Sequence, residues 1–345
     1  MLRTLRRRRK QKVVMVNLPV GVDTAIGPLP HTDPVEAVEF TLAHQSRLPA
    51  VPILPRRTPR ERRVAQAVVG VPGLDVADDG TLRVTGPVDV PADLRVDFGD
   101  DAFRTLRAFL QAVGPRQEPI KLQVIGPVTL GMVLVDIGVA PADAFALAIR
   151  LVHRLTCSLL DHVATGGLGA RQLLFLDEPG LVGSMHPTFP LAGTDVMRML
   201  AGVVEPLAGR AVLGLHCEGR SDWRLLLGSG VDIVSAPVGG RLETASDALA
   251  RFLDGGGWVA WGAVPVDEPV GDTGEHLWRR LCELWCDLVR TGCDPTRLRT
   301  QALITPARGL ESHGLSQAQR VLELARSIAG RTRDQVIGLR LSVGA

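Results

Sequence analysis

The first candidates for chemistry are Asp177 and Glu178, adjacent carboxylates that follow the apolar run Leu173-Leu174-Phe175-Leu176. Neighbouring residues on an extended chain point to opposite faces, so one can enter a pocket while the other anchors a loop or caps a helix. Both readings are open for each carboxylate. His216-Cys217-Glu218 ends a second apolar run, Ala211 to Leu215. Imidazole, thiolate and carboxylate are all ligands for first-row metals, and the spacing of His216 and Glu218 puts both on one side of a strand end. The same two groups are suited to acid–base work. Two ligands do not make a zinc site, so a hydrogen-bonded strand-end histidine stands beside the metal reading. Gly27, Thr129 and Arg308 follow further apolar runs and complete the candidate set.

Such residues need elements that deliver them together. Short apolar runs alternate with amphipathic helices, the pattern of a parallel α/β fold. Eight strands are expected near Asp23–Ile26, Ala50–Ile53, Lys121–Ile125, Gln172–Leu176, Ala211–Leu215, Asp232–Ser235, Trp258–Gly262 and Thr300–Ile304. Thr58-Pro59-Arg60-Glu61 reads as a capping box, and helices are expected from Pro141 to Gly166-Gly167 and from Gly274 to Gly292. Asp79-Gly80 between Val76 and Leu82-Arg83-Val84 reads as a β-hairpin. An open doubly wound sheet would want a Gly-rich phosphate loop, and neither GxGxxG nor the Walker pattern occurs. The expectation is a single-domain (β/α)8 TIM barrel over residues 17–345, with the hairpin as a small insertion. Its chemistry would sit at the C-terminal strand ends, where all the candidates lie.

The formal charge of +2 conceals an asymmetry. Seven basic residues precede residue 15, and without them the remainder carries −5. That excludes a basic nucleic-acid-binding barrel and makes residues 1–16 an expected disordered basic tail. The apolar stretch after the arginines is too short for an export signal, and no run of about 18 apolar residues could span a membrane. Five cysteines without a signal peptide fit reduced thiols in the cytoplasm. Cys282 and Cys286, four apart beside Leu281 and Trp285, are expected to pack in the core, with His276 at the surface. Trp258 and Trp261 are expected on opposite faces of one strand. Tyrosine is absent, and beyond the tail the only lysine is Lys121.

Read in order, the strand ends resemble the catalytic C-terminal domain of cobalamin-independent methionine synthase, within the superfamily that includes uroporphyrinogen decarboxylase. Ala25-Ile26-Gly27-Pro28-Leu29-Pro30 is similar to that family's opening Ile-Gly-Ser-Phe-Pro. Ile125-Gly126-Pro127-Val128-Thr129 matches its Gly-Pro-Val-Thr, and Leu176-Asp177-Glu178-Pro179-Gly180-Leu181 its Ile-Asp-Glu-Pro-Ala-Leu. Thr305-Pro306-Ala307-Arg308-Gly309-Leu310 corresponds to its terminal Pro-Asp-Cys-Gly-Leu.

The resemblance implies methyl transfer from a methylfolate to homocysteine, with zinc lowering the substrate thiol's pKa. It also implies zinc ligands that this chain lacks. His216 matches the family's histidine, but Glu218 stands at the first cysteine, Pro237 near the glutamate and Arg308 at the late cysteine. The folate side is altered as well. Val133 replaces the stacking tryptophan, Gly183 the folate-binding glutamate, and Pro28 the serine that holds the substrate carboxylate. The proton-donating histidine has no counterpart, although Asp267 lies near its place. Asp177 matches the residue that holds the substrate's α-amino group.

Zinc and folate are therefore disfavoured. A metal site could be rebuilt only from His216 with Glu218 or Cys217, joined by Asp177 or Asp267. The expectation is an altered group-transfer enzyme acting on a small amino-acid or thiol-type substrate. Asp177, Glu178, Arg308, Gly27 and Thr129 would bind that substrate, and His216, Glu218 and Asp177 would do the chemistry. The alternative is an inactive barrel that binds a ligand or partner. Decarboxylation of a porphyrinogen is disfavoured because the relatives that perform it use a tyrosine.

Overall fold

Runs that are apolar on both faces pair in parallel, because only cover on both sides removes them from water. The computed structural model describes residues 18–91, 94–168, 171–267 and 273–343. The tail expected over residues 1–16 lies outside the described residues. The chain opens with β1 (Val22–Asp23), α1 (Pro34–His44) and α2 (Arg63–Ala67). The antiparallel pair β2 (Leu74–Val76) and β3 (Leu82–Val84) follows, at the position of the expected hairpin. Next come α3 (Arg104–Val113), β4 (Lys121–Ile125), α4 (Pro127–Asp136), α5 (Pro141–Thr165) and β5 (Leu173–Asp177). After α6 (Gly193–Leu207) the order is β6 (Val212–His216), α7 (Trp223–Leu227), β7 (Ile233–Pro237), α8 (Ser246–Asp254) and β8 (Trp258–Val264). The chain ends with α9 (Gly274–Arg290), α10 (Pro295–Thr300), β9 (Ala302–Pro306) and α11 (Leu315–Val343).

Seven strands form one curled parallel sheet in the order β1-β9-β8-β7-β6-β5-β4. The expected strand at Ala50–Ile53 makes only isolated bridges, Ala50 to Lys121 and Pro28 to Ile53. Val51 N–H donates to Lys121 O at 2.9 Å and Ile53 N–H to Gly27 O at 3.0 Å. Pro49, Pro52 and Pro55 lack the amide hydrogens that a regular ladder needs, which is why no strand forms there.

Alternation sorts the strands into two faces. Leu173, Phe175, Val212, Ile233, Trp258, Ala260 and Leu303 cluster on the concave face. The other parity packs under the helices, where Trp261 meets Trp285 of α9 edge to face. The two tryptophans of β8 thus lie on opposite faces.

Helix boundaries follow local chemistry. Asp33 caps α1 by accepting from Val35 N–H and Glu36 N–H, Pro141 opens α5, and Thr273 caps α9. Glu61 departs from the capping box. Its carboxylate is buried and accepts from Leu54 N–H and from Thr105 N–H and Oγ–H, tying the loop to α3. The core packing expected for Cys282 and Cys286 is also corrected: Cys282 is half-buried and Cys286 exposed. The buried stripe of α9 is Leu277, Leu281, Leu284, Trp285 and Leu288. Each cysteine sits one residue past that stripe, about 100° around the helix. Among the described residues no helix is long and apolar enough to cross a membrane.

Candidate active site

Sheet register places Asp177, His216 and Ser235 side by side at the ends of β5, β6 and β7. Paired residues on neighbouring strands share a face, so all three project from the concave side. His216 is fully buried, its Nδ1 lies 2.9 Å from Ser235 Oγ, and its Nε2 has no partner. Burial, followed by the positive charges of Lys121, Arg63 and Arg308, holds its pKa well below the ordinary imidazole value. The ring is therefore neutral near pH 7.

Asp177 is fully buried and meets Arg63, whose Nε lies 2.6 Å from Oδ2. The N–H points off that contact, so neither carboxylate oxygen receives an aligned hydrogen bond. Burial raises the Asp177 pKa, while Arg63 and Lys121 oppose the shift. Arg63 Nη2 also donates to Ile26 O at 3.2 Å, which fixes the guanidinium between β1 and β5.

Arg308 and Glu218 stand beside this row. Arg308 Nη1 lies 2.9 Å from Asp267 Oδ1, and its Nε is 4.0 Å from Glu218 Oε2. Burial pushes Glu218 up, and Arg308 and Arg63 pull it down. Buried Thr305 Oγ and Glu311 Oε2 have no partner either. Asp177, His216, Glu218 and Arg308 are thus brought together at the C-terminal end of the sheet.

Three other candidates serve the scaffold. Glu178 turns away from the concave face and accepts from Val128 N–H at 2.9 Å and Thr129 N–H at 2.7 Å, and from Thr129 Oγ–H. It closes the N-terminus of α4, where free amides need an acceptor. The Thr129 hydroxyl also accepts from Gly180 N–H at 3.0 Å, so its hydrogen-bonding capacity is used within the fold. Gly27 has φ 111°, and a Cβ there would fall 1.3 Å from Gln123 Nε2. It makes room for Gln123, whose amide donates to Val51 O at 3.1 Å.

The residues do not fit a catalytic zinc. Cys217 Sγ faces away from His216 and lies 2.7 Å from Ser221 Oγ, in the helix-side core, where burial pushes its pKa up to about 11. Among the described residues no group of three His, Cys, Asp or Glu side chains could hold a metal ion. The guanidinium of Arg308, which has no lone pair to offer, stands beside Glu218 and Asp267.

Sequence reasoning missed Arg63, Lys121, Ser235 and Glu311, and gave Thr305 no role within its motif. Lys121 carried a signal, as the only lysine after residue 12 and a cation in an apolar run. It is fully buried, donates from Nζ to Ala25 O at 2.9 Å and Gln123 Oε1 at 2.7 Å, and lies 4.5 Å from the Phe175 ring centroid. Burial brings its pKa down to about 7. Gly214 leaves space for that ring, since a Cβ there would meet it at 2.6 Å.

By sequence, no family model and no curated protein matches the chain. In structure it is similar to a B12-independent methionine synthase from Shewanella sp. W3-18-1, solved in complex with selenomethionine. The TM-score is 0.64 at 15% identity, covering 93% of this chain and 100% of that one. It is also similar to a methyltransferase from Methanosarcina mazei, with a TM-score of 0.54 at 15% identity, covering 93% and 94% of the two chains. These similarities establish a shared fold.

Proposed function

We propose that this chain is a methyltransferase-descended group-transfer enzyme acting on a small amino-acid or thiol-type substrate, without zinc–thiolate–methylfolate chemistry. Its architecture in this reading is a (β/α)8 barrel with the Pro49–Ile53 segment as second strand and the β2–β3 pair as an insertion. The observation that carries the reading is the set of buried polar atoms left without aligned partners around the strand ends. They are Asp177 Oδ1, His216 Nε2, Thr305 Oγ, Arg308 Nε and Glu311 Oε2, whereas Asp177 Oδ2 is already met by Arg63 at 2.6 Å. Each unpaired buried polar group costs roughly 1–3 kcal/mol, and a bound ligand would supply the missing partners.

The substrate thiol sits beside His216. With Nδ1–H donated to Ser235, Nε2 holds the free lone pair and takes the thiol proton. Burial, with the charges of Arg63 and Arg308, keeps His216 neutral, and the field of those two guanidiniums also favours a thiolate, so a weak base suffices. The sulfur then attacks the alkyl carbon of an N- or S-alkyl donor. The new S–C bond forms as the donor's bond to that carbon breaks, and the leaving atom keeps the electron pair. Glu218, raised by burial, returns a proton to a leaving group that needs one. Arg308 neutralises charge at the place where a metal would otherwise act.

The test is methionine formation from homocysteine, with a sulfonium and a methylfolate offered separately as donors and a chelator present throughout. Chelator-insensitive turnover that falls by about 100-fold or more in His216→Ala is expected. Thermal stabilisation by homocysteine without turnover would support the inactive, ligand-binding alternative. Absence of both stabilisation and turnover would overturn the reading.

A further inference from the structure

Arg63 changes the sign of charge that one end of the site prefers. The carboxylate of Asp177, which would attract an ammonium group, already has a guanidinium at 2.6 Å. The side chain of Arg63 is 13% exposed and is held from its other side by Ile26 O. A ligand cation would have to displace it. Arg63 also lines an open cavity of about 390 Å³ beside the site, together with Arg56, Arg62 and Glu311 and an apolar wall that includes Ile53 and Pro55. That volume suits a small ligand.

The charges in this cavity are not balanced internally. The only polar contact of the Arg62 side chain among the described residues is a 3.4 Å hydrogen bond to Asp79 O, a neutral acceptor. Arg56 makes no hydrogen bond or ion pair among the described residues. Glu311, the one carboxylate on the wall, has a buried Oε2 without a partner. Guanidinium forks match the geometry of carboxylate and phosphate oxygens, and those of Arg56 and Arg62 make no ion pair among the described residues.

We infer that the cavity is a subsite for an anionic group of the substrate, a carboxylate or phosphate on a short apolar stem, gripped by Arg56 and Arg62 with Arg63 as the fixed inner contact. Glu311 accepts an N–H or O–H from the same ligand, and Ile53 and Pro55 cover the stem. The inference rests on the mouth being a substrate site, but it concerns recognition and not the transfer step.

The probes are inorganic phosphate and succinate, titrated by calorimetry into the full chain. The wild type is compared with the double variant Arg56→Ala/Arg62→Ala and with the distant charge control Arg279→Ala/Arg320→Ala. All four substituted residues are exposed, so folding is preserved. Saturable binding of at least one probe is expected, weakened about tenfold or more in the first variant and unchanged in the control. Preference for phosphate identifies a phosphoryl group, and preference for succinate a carboxylate. Failure of both probes to bind the wild type, or equal binding by all three proteins, would overturn the subsite. Neither probe can take part in alkyl transfer, so this failure is distinguishable from failure of the turnover assay.

Discussion

Replacing Glu178 with alanine is expected to lower the unfolding free energy by about 3–5 kcal/mol, the usual loss when one partner of a buried charged network is removed. The carboxylate is wholly buried and receives three donors, Val128 N–H, Thr129 N–H and Thr129 Oγ–H. In the variant the donors face a cavity that offers no acceptor, and each stranded group costs roughly 1–3 kcal/mol. Burial pushes Glu178 up to about 7 while these donors favour its anion. Glu178→Gln keeps one acceptor oxygen and brings an amide donor against donors, so its loss should be intermediate. Urea unfolding of the three proteins checks the order. A loss below about 1 kcal/mol in the alanine variant would show that Glu178 is not the anchor of α4.

Raising the pH from 7 to 9 is expected to stabilise the fold through Lys121 by up to about 1.4 kcal/mol per pH unit. Burial depresses the folded pKa of this lysine from 10.5 to about 7. Below that value both states bind the proton, and the fold carries a buried charge. Between the folded and unfolded values the folded chain has released the proton and the unfolded chain still holds it. Unfolding then takes up a proton, so stability rises with pH. The clasp survives the change, because a neutral amine still has two N–H donors for Ala25 O and Gln123 Oε1. Above pH 9 the thiols of Cys217 and Cys293, both pushed up to about 11, act in the opposite sense, so the window closes there. Lys121→Met should flatten the slope. Denaturation midpoints at pH 7, 8 and 9 read it directly, and parallel slopes for the two proteins would contradict the assignment.

Much of the sheet was legible because doubly buried parallel strands leave uninterrupted apolar runs. Lys121–Ile125 falls on its expected residues, and five of the other expected strands lie within one or two residues of those observed. The Ala50–Ile53 segment looked equally apolar, yet its prolines permit bridges but no ladder. Which of Asp177 and Glu178 faces inward could not be read from an alternating chain, since either parity fits the pattern. Register with His216 and Ser235 settles it. Arg63 was illegible for another reason. It lies on a five-residue helix with nothing local to mark it, and its meaning comes from a carboxylate 114 positions away. The departures from the resembled family's zinc ligands were legible one residue at a time. That a guanidinium stands against Asp177 needed three dimensions.

In the proposed function, a nucleophile is activated by the fixed positive charge of Arg63 and Arg308 and by the neutral imidazole of His216. The most direct test is metal analysis of protein expressed in zinc-supplemented medium and purified without chelators. Below roughly a tenth of an equivalent of zinc per chain is expected, with no difference between wild type and His216→Ala. One equivalent of zinc in the wild type that disappears in His216→Ala would contradict the account.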